Sequence, residues 1–215
     1  MAPAASPATG VSWRDRAAPV VKRGVRPALW ALVILPIVSM AVRLVLGQLG
    51  ANPIEELEHE TGRWTLRLLA GSLAVTPLIS FTRWGWLIAQ RRFLGIATFA
   101  YVSLHLSIYI GVDNFFNVSD IVEDVLKHLY ITVGMLGFLL LVPLAITSTK
   151  GWIKRLGGKR WNQLHRLVYV AATAGCVHFL WAVKKDKTEP ILYAAGFVTL
   201  SALRFVGRKP GRQST

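Results

Sequence analysis

Long apolar stretches alternate with short polar segments along most of the chain. Each stretch approaches the length of about 20 residues that an α-helix needs to cross the hydrocarbon core of a bilayer. We therefore predict six membrane-spanning helices, over residues 28–50, 64–81, 93–111, 129–147, 164–183 and 190–206. The connecting segments are too short to fold alone. The predicted fold class is all-α, a polytopic membrane protein built as a bundle of six transmembrane helices.

Composition supports a membrane protein and narrows its chemistry. Of the 215 residues, 53% are hydrophobic and only 17% are charged, whereas a soluble domain carries about 25% charged residues. The single cysteine, Cys176, can form neither an internal disulfide nor a thiolate metal cluster, and the absence of CxxCH excludes a covalent c-type haem.

Residues 1–27 are basic and rich in proline and alanine, which predicts a disordered cytoplasmic tail. Residues 28–206 form the predicted transmembrane domain, and residues 207–215 a second cytoplasmic tail.

Basic residues are concentrated in alternate connecting segments. One set of segments holds 18 basic residues and one acidic residue, over 1–27, 82–92, 148–166 and 204–215. The other set holds 5 basic and 10 acidic residues, over 50–63, 112–128 and 184–189. Because loops rich in lysine and arginine stay in the cytoplasm, both termini are predicted to be cytoplasmic. This distribution accounts for the net charge of +14 and argues against nucleic-acid binding.

Two histidines inside the predicted spans lie at the same depth. His105 is 13 residues beyond Arg92 in the third span, and His178 is 12 residues beyond Arg166 in the fifth. Both helices run outward from the cytoplasm, so a rise of 1.5 Å per residue puts both side chains roughly 18–20 Å from the inner boundary. Ionisable groups at such depth are costly and usually functional. Two imidazoles at one level favour axial ligation of a single haem iron, which suits electron transfer.

A third histidine, His165, is predicted near the inner surface, about 20 Å from His178 along the same helix. A second haem at this level would need a partner on the third span, where Arg91 and Arg92 stand. Three interpretations remain open for His165: ligation of an inner haem with an unidentified partner, a hydrogen bond to a quinone or flavin, or a plain interfacial position. The sequence therefore predicts one haem b and leaves a second one open.

Several arginines near the ends of the spans have two interpretations each. Arg43 and Arg67 either pair with haem propionates or snorkel to the interface, and for Arg63 we favour snorkelling. Arg91 and Arg92 could hold the carboxylates or phosphate of an inner cofactor, or dock a cytosolic flavin reductase. The positive-inside bias is the simpler explanation of this second pair.

Four segments together resemble the MsrQ (YedZ) family of haem-binding membrane subunits, whose core is similar to the ferric-reductase-like transmembrane domain of NADPH oxidases and ferric reductases. They are TGRWTLRLLAGSLAVTPL at 61–78, RRFLGIATFAYVSLHL at 91–106, ITSTKGWIKRLGGKRWNQLHRLVY at 146–169 and CVHFLW at 176–181. The resemblance covers about residues 28–206 and carries the family histidines onto His105, His165 and His178. The third span lacks the inner histidine of NADPH oxidases, which leaves a second, conventionally ligated haem open.

The resemblance implies a b-type cytochrome of the bacterial inner membrane. It would take electrons from the quinone pool and pass them to a periplasmic molybdopterin enzyme, MsrP, which reduces methionine sulfoxide in oxidised periplasmic proteins. The protein would then be an electron-transfer subunit rather than the catalytic subunit, and we assign it no catalytic residue. The family is also associated with FMN, for which we assign no residues.

Other kinds of function remain open on the residues alone. A stand-alone transmembrane haem reductase of metal ions or another periplasmic acceptor would use the same histidines, although it would favour two evenly matched histidine pairs. A proton-coupled transporter would place acidic partners inside the spans, and none of the 11 acidic residues falls in a predicted span. A haem-free scaffold would leave His105 and His178 unexplained.

Overall fold

Helices account for nearly all of the computed structural model, which describes residues 13–206, with side chains described over 21–204. The described residues form eight α-helices and no strand: α1 (Trp13–Val45), α2 (Pro53–Thr82), α3 (Ile88–Ile108), α4 (Val118–Lys127), α5 (Leu129–Ile146), α6 (Lys150–Leu164), α7 (Leu167–Ala182) and α8 (Thr188–Val206). A 3₁₀ turn at Gly85–Leu87 leads into α3, and a π-helical turn at Tyr109–Asp113 follows it.

Four segments within residues 13–206 are helical, long and apolar enough to cross a membrane: Val21–Val45, Pro53–Thr82, Gly85–Asp113 and Leu129–Ile146. α7 is apolar but has only 16 residues. α8 has 19 residues, with Glu189 in its first turn and Arg204 in its last turn. The all-helical, multi-pass membrane architecture is confirmed, whereas the crossing by α7 and α8 stays a prediction.

The structure corrects the sequence interpretation at the N-terminal side. α1 begins at Trp13, so residues 13–27 are helical and not a disordered tail. Once a helix is nucleated, each further residue adds one hydrogen bond at little cost, so the apolar span can propagate into adjoining polar residues. Residues 1–12 and the predicted tail at 207–215 lie outside the described residues.

Two helices lie in connecting segments where no helix was predicted. α4 begins after Asn117, whose side-chain oxygen accepts hydrogen bonds from the backbone N–H groups of Ser119 and Asp120. α6 begins after Thr149, whose hydroxyl accepts from the N–H of Trp152. Both helices are short and rich in charged residues, so a search for membrane-length apolar stretches passes over them, and their start signals are these capping side chains.

Two helix pairs form the body of the bundle. α2 packs mainly on α3 and α5 mainly on α7, while α8 lies against α2 and α7. One buried cluster joins α2, α5, α7 and α8 through Leu66, Leu69, Leu73, Leu141, Leu144, Val168, Ala171, Ala172, Cys176 and Phe197. The alanines of α7 allow α5 to approach closely, and a Cβ added to Gly137 would meet the Cβ of Ala174 at 3.5 Å. Small residues serve this purpose in membranes because helix association there depends on close van der Waals packing.

α1 is attached to the bundle by few contacts. Most of its side chains over 21–45 are exposed, as expected for a helix that faces lipid. Met40 is buried in a second cluster with residues of α2 and α3. Tyr101 is only 1% exposed, and its hydroxyl donates a hydrogen bond to the backbone carbonyl of Val33 at 2.6 Å. Arg43 at the far end of α1 forms an ion pair with Glu56.

Candidate functional site: a histidine pair between two helix pairs

The two histidines that were predicted to share a depth lie next to each other, one on each helix pair. His105 of α3 and His178 of α7 have ring centroids 6.1 Å apart and ring planes inclined at 77°. α3 ends at Ile108 and α7 at Ala182, so both side chains lie in the last turns of their helices. This is the end of the bundle that carries the acidic connecting segments, which we call the acidic end.

Each imidazole is held by a backbone carbonyl of the neighbouring helix. Nδ1 of His105 lies 3.0 Å from the carbonyl oxygen of Glu58 in α2, and Nδ1 of His178 lies 2.7 Å from the carbonyl oxygen of Tyr130 in α5. A carbonyl oxygen can only accept, so each Nδ1 is assigned the proton and each Nε2 keeps its lone pair. No hydrogen bond found among the side chains of residues 21–204 uses either Nε2.

The same local arrangement holds both rings. The residue whose carbonyl accepts is followed four positions later by a glycine, Gly62 after Glu58 and Gly134 after Tyr130. Residues four apart lie one above the other on the same helix face, so each glycine stands beside the imidazole. A Cβ on Gly134 would come within 2.7 Å of Nδ1 of His178, whereas one on Gly62 would stay 3.6 Å from the nearest atom of the other ring.

The acidic end of the bundle contains a cavity of about 440 Å³ that both histidines line, within the usual size range of small-molecule and cofactor sites. Its walls inside the bundle are mainly apolar, and include Leu66, Leu69, Val102, Phe138 and Leu141. Its polar residues include Glu55, Glu58, Arg63, Asp113, Asp124 and Lys184. The cavity therefore pairs an apolar interior with a charged rim.

The donor set of this cavity fits a planar metal cofactor that needs two axial nitrogens. Neutral imidazole is a common ligand of iron, and a ligating histidine usually donates its other N–H to a carbonyl or carboxylate, as His105 and His178 do. Two metal–nitrogen bonds of about 2 Å each, together with the ring radii, separate two such centroids by roughly 6 Å. Among the described residues, no group of three or more histidines, cysteines or carboxylates could hold a metal ion. A cofactor that brings its own equatorial ligands therefore fits better than a bare ion.

Arg63 lines this cavity, a position that the sequence interpretation of snorkelling did not foresee. Its guanidinium forms ion pairs with Glu60 at 3.3 Å and with Glu189 of α8 at 3.4 Å. Its Nε is buried without a partner among the described residues. Arg63 thus joins α2 to α8 beside the rim of the cavity.

Arg43 and Arg67 are not among the residues that line the cavity. Arg43 is engaged by Glu56. Nε of Arg67 donates to the hydroxyl of Tyr193 at 3.1 Å, and its guanidinium lies 4.8 Å from the centroid of the Trp64 ring. The structure therefore does not bring these two arginines together with the histidine pair, because each is held by a partner on a neighbouring element.

His165 lies apart from the pair, at the opposite end of the bundle between α6 and α7. Its ring stacks on Trp161 with centroids 3.8 Å apart, and its Nε2 lies 3.2 Å from the hydroxyl of Thr147. That hydroxyl donates its own hydrogen to the carbonyl of Pro143, so Nε2 of His165 is assigned as the donor. In contrast to the pair, the nitrogen of His165 that keeps its lone pair is then Nδ1.

Arg91 and Arg92 lie near the start of α3, also at this end. The backbone carbonyl of Arg91 accepts a hydrogen bond from Ser72 at 3.1 Å, and the side chain of Arg92 is exposed. Neither guanidinium forms an ion pair within residues 21–204. We call this end, with its excess of lysine and arginine, the basic end.

Sequence reasoning missed the groups that orient the two imidazoles. These are the carbonyls of Glu58 and Tyr130 and the adjacent Gly62 and Gly134. A glycine inside an apolar helix signals a close approach, but the sequence does not say what approaches. Backbone carbonyls carry no sequence signal at all, because every residue has one.

The fold and the site together define a class of protein. It is a multi-pass helical membrane protein with two facing histidines, one from each of two helix pairs. The chain matches the family described as "Ferric reductase like transmembrane component" over residues 61–176. No solved structure matches it.

Relatives named "Protein-methionine-sulfoxide reductase heme-binding subunit MsrQ" align along most of the chain. The one from Herminiimonas arsenicoxydans is 46% identical over 84% of each chain. The one from Caulobacter vibrioides is 45% identical over 87% of this chain and 90% of its own, and the one from Rhodospirillum rubrum is 47% identical over 88% and 91%. The chain therefore belongs to the MsrQ family of ferric-reductase-like membrane proteins.

Proposed function

We propose that this protein is a membrane b-type cytochrome. In this proposal it passes electrons from the quinone pool to a periplasmic molybdopterin methionine sulfoxide reductase of the MsrP type, for repair of oxidised periplasmic proteins. The observation that carries the proposal is the pair His105 and His178, whose Nδ1 atoms are held by carbonyls and whose centroids are 6.1 Å apart beside one cavity. Membership of the MsrQ family, whose members are named as haem-binding subunits, supports it.

His105 and His178 would hold a haem b through their Nε2 atoms. The haem supplies a one-electron carrier when it is bound. The carbonyls of Glu58 and Tyr130 fix the ring orientations and make each Nε2 a stronger ligand. With both imidazoles serving as ligands, the site would favour electron transfer over oxygen chemistry. The apolar walls of the cavity keep water away from the ligand nitrogens.

The proposed topology has six membrane crossings in the bacterial inner membrane, with both termini in the cytoplasm. Positive charge in the alternate connecting segments supports this orientation. The acidic end then faces the periplasm, and the histidine pair lies in the last turns of α3 and α7 at that end. The distance for electron transfer from the histidine pair to a periplasmic acceptor would therefore be short.

At the basic end, the proposal leaves the inner cofactor open. His165, Arg91 and Arg92 are the residues that would meet a second haem, FMN or the quinone, and the two arginines could receive a cytosolic flavin reductase. The Nε2 of His165 is already engaged by Thr147. A ligand at this histidine would therefore bind through Nδ1 or displace that hydrogen bond.

The proposal is tested by visible spectra and haem content of the purified membrane protein. We expect b-type bands in the reduced-minus-oxidised spectrum, and loss of one haem per protein on either His105→Ala or His178→Ala. His128→Ala is the matched control. This imidazole is 48% exposed, contacts Asp124 and is not part of the His105–His178 pair. His165→Ala reports on a second haem. A wild-type protein without haem after expression with haem supplementation would overturn the cytochrome assignment.

The acceptor is tested separately, with the reduced protein in proteoliposomes. Quinol-reduced protein should be reoxidised rapidly by an MsrP-type enzyme that has methionine sulfoxide, and slowly by ferric chelates. The reverse order of rates would instead favour a stand-alone reductase of metal ions.

A further inference from the structure

A second cavity, of about 230 Å³, lies between α1 and the start of α3 at the basic end. The residues that line it are three from α1 and three from α3, namely Arg26, Leu29, Trp30, Ala89, Gln90 and Phe93. It is separate from the histidine cavity, with which it shares no lining residue.

The lining of this cavity has a polar part and an apolar part. Arg26 and Gln90 carry hydrogen-bond donors, and no hydrogen bond or ion pair found within residues 21–204 involves either side chain. The rings of Trp30 and Phe93 lie edge to face with centroids 4.8 Å apart. Arg26 lies near the basic end of the apolar segment Val21–Val45, and Trp30 is one turn further along it. A ligand that fits this order has an anionic head and an apolar body.

We propose that this cavity binds the headgroup of an anionic phospholipid. The guanidinium of Arg26 would hold the phosphodiester, because it matches phosphate oxygens with two parallel hydrogen bonds, and the Gln90 amide would donate a further one. Trp30 and Phe93 would contact the glycerol and the upper acyl chains. Basic pockets between transmembrane helices are a known form of anionic lipid site.

The packing of α1 supports a lipid in this place. α1 reaches the rest of the bundle along one stripe, in which Leu29, Val33 and Met40 turn towards α2 and α3. Arg26 is three residues before Leu29 and so continues this stripe beyond the apolar contacts. An anionic headgroup in the cavity would add a polar link between α1 and α3 beside the contact of Trp30 with Phe93.

Charge favours a phospholipid over a quinone head at this site. Lys22 and Arg92 add further positive charge near the cavity in sequence, which attracts an anionic headgroup and gives no such attraction for a neutral quinone.

The test measures lipid affinity of the delipidated full-length protein by native mass spectrometry, with phosphatidylglycerol and phosphatidylcholine of the same acyl chains as probes. Wild type should retain phosphatidylglycerol preferentially. Arg26→Gln should weaken that binding at least about tenfold, because a charge-assisted hydrogen bond is lost, and Gln90→Leu should weaken it to a smaller degree. Arg23→Gln is the matched control, since it removes the same charge from the same helix and does not line the cavity. Helix content by circular dichroism confirms that each variant folds.

Three results would overturn the proposal. Equal retention of the two lipids by wild type would show no anionic site. An equal loss in Arg26→Gln and Arg23→Gln would show that binding is diffuse surface attraction. Displacement of phosphatidylglycerol by decylubiquinone, with quinone binding that depends on Arg26 and Gln90, would show that the cavity is a quinone site. None of these readouts depends on haem or electron transfer, so they are separate from the tests of the proposed function.

Discussion

Gly134→Ala should damage the site at His178, whereas Gly62→Ala should leave His105 in place. Both glycines stand one helical turn beyond the carbonyl that holds an imidazole, and both substitutions add a single methyl group. They differ in the room available. In Gly134→Ala the added Cβ would meet Nδ1 of His178 at 2.7 Å. In Gly62→Ala the added Cβ would stay 3.6 Å from the nearest atom of the His105 ring. The pair of variants therefore isolates close approach from every other effect of replacing glycine.

The expected magnitude follows from these distances. Ordinary contacts between non-bonded heavy atoms are about 3.5–4.0 Å, so the ring of His178 must move by about 1 Å. Such a shift costs about 1–3 kcal/mol of overpacking and strains or breaks the 2.7 Å hydrogen bond to Tyr130, worth about 1 kcal/mol. The sum, about 2–4 kcal/mol, corresponds to roughly 30- to 700-fold in cofactor affinity if it falls entirely on the ligating arrangement. The gain of about 1 kcal/mol in helix propensity applies to both variants.

The assay compares haem content and thermal unfolding of the two variants with wild type. Gly134→Ala should lose most of its haem after purification and should unfold at a lower temperature. Gly62→Ala should keep the wild-type ratio of haem to protein. Unfolding of haem-free protein gives a second readout, because the clash with His178 exists whether or not a cofactor is bound.

A Gly134→Ala variant that keeps both the wild-type haem ratio and the wild-type unfolding temperature would contradict the predicted clash with His178. Equal loss of haem by the two variants would contradict it as well, since the steric difference between 2.7 and 3.6 Å would then have no consequence. A lower unfolding temperature with full haem content would show that His178 repositions without losing its role.

Three further predictions concern groups around the site. Tyr101→Phe removes the buried hydrogen bond to the Val33 carbonyl. The free energy of unfolding should fall by about 0.6 kcal/mol, and the unfolding temperature should fall with it; an unchanged melting curve would mean that this hydrogen bond adds no stability. The hydroxyl of Thr61 lies 3.3 Å from Nδ1 of His105 and donates to the carbonyl of Leu57. Thr61→Val should cost about 1 kcal/mol of stability but keep the haem, because His105 retains the carbonyl of Glu58 as its partner; loss of haem would show that the Thr61 hydroxyl is needed to hold His105. Cys176, only 8% exposed, should react with N-ethylmaleimide far more slowly in folded protein than after denaturation, and equal rates would contradict its burial.

Much of the fold could be predicted from periodicity and length alone. The four long apolar helices follow from stretches of membrane length, and their approximate positions are those of the predicted spans. The helical continuation of α1 back to Trp13 and the connecting helices α4 and α6 could not be predicted in this way. They depend on helix propagation and on capping by Asn117 and Thr149, which act locally and leave no apolar pattern.

The sequence by itself determined that His105 and His178 reach one level of the bundle. The rise per residue of a helix is fixed, so counting from a charged boundary gives depth without knowledge of packing. Only the tertiary structure decided which nitrogen of each ring is tied to a carbonyl, why Gly134 must lack a side chain, and that Arg63 lines the cavity while Arg67 turns to α8. These features depend on how neighbouring helices are rotated and spaced against each other, and that rotation arises from the packing of the whole bundle, which no single helix encodes.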